Sequence, residues 1–136
     1  MNVLEFNLLV RSRQAKTNST LVEKGVEYAM DGDRLHNFKT SGRFDNESPE
    51  RALWGMWKKH ITSIRDEVTK MERDRNYVPS RRWVDEKLGD NINYTHLLEG
   101  LIEERRNRII GDRQRVRTSR RRLTCRTMKR RRRMYE

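Results

Sequence analysis

The 136-residue chain has a single cysteine, Cys125, so no internal disulfide can form, and one Cys with three dispersed His assembles no zinc motif. No apolar run approaches the roughly 20 residues that cross a bilayer, and the start Met1-Asn2-Val3-Leu4-Glu5-Phe6 lacks a basic region followed by a long apolar core. These absences predict a cytoplasmic protein with no membrane span and no signal peptide, whose only contact with a membrane is electrostatic. Two prolines and seven glycines leave no long flexible linker, aromatic residues make up 7%, and no internal repeat is visible.

What is abundant is charge. Lys and Arg number 32 against 20 Asp and Glu, a formal net charge of +12, while hydrophobic residues make up 33%. That composition suits one small charged helical domain with a modest core and a tail. Residues 1–99 hold 17 basic and 16 acidic side chains, whereas residues 100–136 hold 15 and 4. The basicity belongs to one end. The expected organisation is an N-terminal helix or arm over residues 1–16, a helical bundle over 17–104 and an Arg-rich tail over 105–136.

Start and stop signals divide the bundle. Thr20-Leu21-Val22-Glu23 fits a capping box, and Leu21, Val22, Val26 and Ala29 continue at helical spacing, predicting a core helix over about 20–30. Val3 to Val10 predicts another helix before it. Asp31-Gly32-Asp33 breaks the pattern, and Arg34 to Glu47, with Gly42 and Asn46, predicts a structured loop anchored by Leu35, Phe38 and Phe44. Ser48-Pro49-Glu50 places an N-cap, a first-turn proline and a dipole-favoured acid in succession, predicting a helix over about 49–74. Its apolar arc holds Leu53, Met56, Trp57, Ile61, Ile64, Val68 and Met71. Pro79 stops what precedes it, and Ser80 caps a third helix from about 81, whose arc holds Val84, Leu88, Ile92, Tyr94, Leu97, Leu98, Leu101 and Ile102. No segment alternates with period two, so the predicted class is all-α, three or four packed helices. The small core leaves a homodimer open.

Polar residues break these apolar arcs. His60 projects to the middle of the second helix's arc, with Glu67 about 20 degrees away at 3.6 residues per turn. On the third helix Asp90, Asn91 and Glu86 lie in or beside the stripe. Burying ionisable groups costs several kcal/mol unless they are paired, coordinated or neutralised. One reason for such a cluster is a hydrogen-bonded network that fixes helix register, with His60 donating to Asp90 or Glu67. The other is a site lined by Glu23, Glu27, His60, Glu86 and Asp90 that binds a divalent ion or a nucleotide. Carboxylates four apart, Glu23/Glu27 and Glu86/Asp90, share a helix face and suit a hard cation such as Mg²⁺.

The segment Asp85-Glu86-Lys87-Leu88-Gly89-Asp90-Asn91-Ile92-Asn93-Tyr94, followed by Leu97-Leu98, resembles the Glu-Leu-Gly-Asp helix of MazG-like all-α nucleotide pyrophosphohydrolases. Together with Glu27-Tyr28-Ala29, Arg34 to Lys39 and Ala52 to His60, it is also similar to small phage proteins of that helical clan, over about residues 17–104. The resemblance implies a helical bundle in the host cytoplasm and hydrolysis of nucleoside triphosphates with Mg²⁺ held by an E-x-x-E and a later E-x-x-D motif. Asp90 matches the final acid. Lys87 stands three before it, with Glu86 four before, and Glu23 and Glu27 are likewise four apart. No Ser, Cys or His nucleophile arrangement points to another enzyme.

The tail carries Arg105, Arg106, Arg108, Arg113, Arg115, Arg117, Arg120, Arg121, Arg122, Arg126, Lys129, Arg130, Arg131, Arg132 and Arg133. Fourteen of these fifteen are Arg, whose guanidinium groups grip phosphate bidentately and stack on bases. Apolar residues are too sparse for a core of its own, yet without proline it can extend the third helix on a polyanion. With no zinc ligands, helix-turn-helix spacing or aromatic ladder, the expected partner is nucleic acid, DNA or RNA, bound with little regard to sequence. The leading expectation is a small phage-type accessory protein whose arm binds nucleic-acid phosphates within a nucleoprotein or defence-related complex. The alternatives are a divergent MazG-like pyrophosphohydrolase and an inhibitor that uses the arm on a partner protein's acidic groove.

Overall fold

A computed structural model describes the backbone of residues 1–132 and the side chains of residues 1–116. Among the described residues all regular structure is helical, as the patterning predicts, and no strand forms. The helices are α1 (Val3–Tyr28), α2 (His36–Phe44), α3 (Pro49–Arg73), α4 (Arg81–Trp83) and α5 (Gly89–Arg132), with a π-helical turn over Val84–Leu88 between the last two. The chain divides into two compact units, Met1–Leu101 and Ile102–Glu136.

The expected helix start at Thr20 is not found. One helix runs from Val3 to Tyr28, capped at its true beginning: the Glu5 amide donates to Asn2 Oδ1 at 2.9 Å, and the Asn2 amide donates to Glu5 Oε2 at 2.8 Å. The Thr20 hydroxyl instead donates back to the Lys16 carbonyl at 3.1 Å, and Glu23 accepts from Ser19. Nothing before Gly25 breaks the helix, so a capping sequence in mid-helix turns its hydroxyl onto its own preceding turn. Val22 and Val26, expected in the core, are exposed.

A second difference is α2, where a loop was expected. Asp31 and Gly32 adopt positive φ and reverse the chain, and the Asp33 carboxylate then accepts from the Leu35 amide and from Lys39 Nζ at 2.9–3.0 Å. Leu35 and Phe38 are buried and hold this nine-residue helix by tertiary packing. Gly42 is required by the returning chain, because a Cβ there would stand 2.8 Å from the Glu47 carbonyl oxygen and 3.1 Å from Ser48 backbone. Asn46, also at positive φ, ends the helix.

The signals at Ser48 and Ser80 operate as predicted: Ser48 Oγ accepts from the Arg51 amide, and Ser80 Oγ accepts from the Trp83 amide. The core of the first unit is small. Leu35, Phe38, Leu53 and Leu101 form its buried centre, with Met56, Trp57, Tyr94, Leu97 and Leu98 packed around it. The far half of α3's apolar arc does not join it, and Ile61, Val68 and Met71 remain exposed, as do Leu88 and Ile102. Glu67 is buried, but its carboxylate accepts from Tyr77 Oη at 2.6 Å and Lys70 Nζ at 2.9 Å, away from His60. Those two hydrogen bonds, Lys70 first, hold its carboxyl below the usual carboxylate range. Among the described residues, no helix is long and apolar enough to cross a membrane.

Candidate functional site

The polar cluster within the first unit is built where α1, α2, α3 and the start of α5 converge. Trp57 fixes the register of α3 on α5: its Nε1 donates to Asn91 Oδ1 at 2.7 Å, and its ring stacks on Tyr94 with centroids 6.1 Å apart and planes at 12°. Asn91 Nδ2 in turn donates to the Lys87 carbonyl at 2.8 Å, just after the π-helical turn. One turn beyond Trp57, His60 lies 5.2 Å from the Tyr94 ring and faces Asp90, with Nδ1 to Oδ2 at 3.6 Å. That separation is too long for a hydrogen bond, and attraction to Asp90 acts only when the imidazole is protonated. Lys24 from α1 approaches the other Asp90 oxygen at 3.7 Å.

His60, Asp90 and Lys24 line a cavity of about 280 Å³ together with Tyr28, Arg34, Asn37, Phe38, Asn93 and Tyr94. Two atoms in its wall, His60 Nδ1 and Asn93 Oδ1, are buried without a hydrogen-bond partner. Leaving a buried polar atom unsatisfied costs about 1–3 kcal/mol, so both are poised to accept a partner that enters the cavity. Asn93 gave no sign of this in the sequence, where it reads as one more polar residue beside Tyr94. Burial disfavours the imidazolium and holds His60 below its ordinary value near 6.5, with Asp90 opposing the shift. Burial also raises the Tyr94 hydroxyl, with Asp90 adding to the effect.

A titration follows with a definite sign. The unfolded chain protonates His60 near pH 6.5, whereas the folded chain does so only at lower pH. Stability from the neutral imidazole is therefore complete above pH 6.5 and declines as pH falls below it. NMR titration of the full chain is expected to place the His60 midpoint below 6.5, and Asp90→Asn is expected to lower it further. A midpoint above 6.5 would contradict the burial described here.

Of the other proposed ligands, Glu86 lines a wider groove together with Asp90, whereas Glu23 and Glu27 line neither cavity. Glu23 and Glu27 are exposed on α1, and Glu86 is exposed with Lys87 Nζ on its Oε1 at 2.6 Å. Among the described residues, no group of three or more His, Cys, Asp or Glu side chains is placed to hold a metal ion. Mg²⁺ does not fit this donor set, since the cation beside Asp90 is already Lys24. Below the cluster, Asp85 is clamped to α1 by Arg13 Nη2 at 2.8 Å and Lys16 Nζ at 3.1 Å, which hold its carboxyl below the usual range, Lys16 first. This clamp beside buried Thr17 lines the same wider groove, of about 650 Å³.

Comparison with protein-family models, curated proteins and solved structures finds no match. The chemistry of this chain therefore rests on its own residues.

The second unit carries the arm. Arg105, Arg106, Arg108, Arg113 and Arg115 are exposed on α5, and Arg106 pairs with Glu103 three residues earlier. The backbone stays helical through Arg132. The side chains of Arg117, Arg120, Arg121, Arg122, Arg126, Lys129, Arg130, Arg131 and Arg132 lie outside the described residues, and so does the whole of Arg133. From Ile102 to Arg132 the helix rises about 45 Å at about 1.5 Å per residue.

Proposed function

We propose that the arm binds nucleic acid through its phosphate backbone, as a small phage-type accessory protein would within a nucleoprotein complex. The observation that carries this is the presence of 14 Arg and one Lys, against four acids, over residues 100–136, of which the described backbone is helical through Arg132. Net +11 over such a length repels itself, and a polyanion relieves the repulsion while releasing its own counterions. Runs of Arg carry no base code by themselves, so affinity comes from phosphates and varies little with sequence. A partner protein's acidic groove offers the same charge without the regular phosphate spacing.

The test uses three exposed arginines of the described arm. Each phosphate contact contributes about one unit to the slope of log affinity against log salt, so Arg108→Gln, Arg113→Gln and Arg115→Gln together are expected to flatten it by about three units. Fluorescence anisotropy on duplex and single-stranded probes measures this. An unchanged slope would count against the arm.

A second reading is favoured by His60 and Asn93, each with a buried side-chain atom lacking a hydrogen-bond partner, which line a cavity with Tyr28, Tyr94, Lys24 and Arg34. Ring faces, amides and cations suit a nucleotide, the substrate class that the MazG-like resemblance implies. Because the acids are not gathered for Mg²⁺, the expectation is binding without turnover. A panel of nucleoside triphosphates with Mg²⁺, followed by calorimetry and pyrophosphate release, checks it. Hydrolysis abolished by Asp90→Asn would restore the enzyme reading.

A further inference from the structure

The beginning of α1 is the least covered apolar surface of the described chain. Met1, Val3, Leu4, Phe6, Leu8 and Leu9 are between 38% and 84% exposed, and at 100 degrees per residue they surround the helix. They leave apolar surface on the order of 700 Å², above the roughly 300–600 Å² of a typical monomer's largest patch and close to the about 800 Å² per partner that a stable interface buries. Asn2, Glu5 and Asn7 interrupt this surface, and so much exposed apolar area on one short segment marks an interaction site.

We propose that the cover is a second copy of this chain, with the two α1 segments packed side by side across a two-fold axis. Charge selects this occupant. In residues 1–10 the one charged side chain is Glu5, and its carboxylate is already engaged by the Asn2 amide. Two copies therefore meet here with one carboxylate each, although each chain carries +12 overall. A partner that docks through many charges finds only Glu5 on this segment. An anionic membrane surface draws in helices whose apolar face is bordered by Lys and Arg, and the first basic residue is Arg11. In a two-fold interface the same patch serves both subunits, so a largely apolar segment with a single charged side chain suits it. Each dimer would carry two arms and so bind a nucleic acid at two places, a consequence that rests on the proposed function, whereas the dimer itself does not.

The experiment is light scattering coupled to gel filtration of the full chain, in salt high enough to strip nucleic acid. The expected mass is twice the 16.5 kDa of the chain. Leu4→Glu with Leu8→Glu, and separately Phe6→Glu, are expected to halve it; these side chains are exposed, so circular dichroism should show helicity unchanged. Oxidative cross-linking of a Phe6→Cys, Cys125→Ser variant gives a second measure, expected to yield a covalent dimer. A monomeric mass for the unaltered chain, a dimer that survives both sets of substitutions, or a monomer that floats with anionic vesicles would each overturn the proposal.

Discussion

Ending the chain at Glu104 is expected to lower nucleic-acid affinity about ten-thousandfold at about 0.2 M salt, since about seven phosphate contacts at about 0.9 log units per decade of salt are lost together. The shortened chain keeps Leu35, Phe38, Leu53 and Leu101, the buried centre of the first unit, so it retains a core. Its 17 basic and 16 acidic side chains over residues 1–99 leave almost no net field to attract a polyanion. Electrophoretic mobility shift on the same probe for both chains measures the effect. Equal binding by the two would place the nucleic-acid surface in the first unit and refute the proposal for the arm.

The second large effect concerns folding. Leu53 has no exposed surface and sits at the centre of a four-residue buried cluster, so Leu53→Ala removes a large fraction of a small core. The expected cost is about 3 kcal/mol, within the usual range for a buried leucine, because helices held at α2 and α3 cannot collapse fully into the void. In a domain of about 100 residues that corresponds to a fall in Tm of roughly 12–24 °C. Thermal denaturation followed by circular dichroism reads it directly. A loss below about 1 kcal/mol would mean that the core described here is not what holds the first unit together.

Much of this architecture is legible in local chemistry. Ser48-Pro49-Glu50 marks the start of α3 because a hydroxyl acceptor, a fixed φ and a dipole-matched acid coincide there, and all three are local properties. That His60 and Asp90 face each other is legible too, since each projects into an apolar arc, but the hydrogen bond expected from His60 to Asp90 or Glu67 is not made. What local chemistry misreads are places where tertiary contacts decide. Thr20 is a cap in sequence but lies inside a helix that nothing interrupts, and α2 forms despite Gly42 and Asn46 because Leu35 and Phe38 are buried against the rest of the unit. The π-helical turn over Val84–Leu88 has no sequence signature, yet α5 and Asp90 follow directly from it. Glu67 shows the limit of a helical wheel: it faces inward as projected, but Tyr77, ten residues on and beyond the end of α3, takes it. The unmet hydrogen bond of Asn93 depends on tertiary burial, which no local pattern reveals.

The central claim, that the arm binds phosphates, is tested most directly by the salt dependence of binding of the full chain to a short nucleic acid. Engagement of about seven phosphates predicts a linear fall of log affinity with log salt at a slope of about −6, similar for probes of different sequence. A slope near zero, or one that changes markedly with the sequence of the probe, would contradict it.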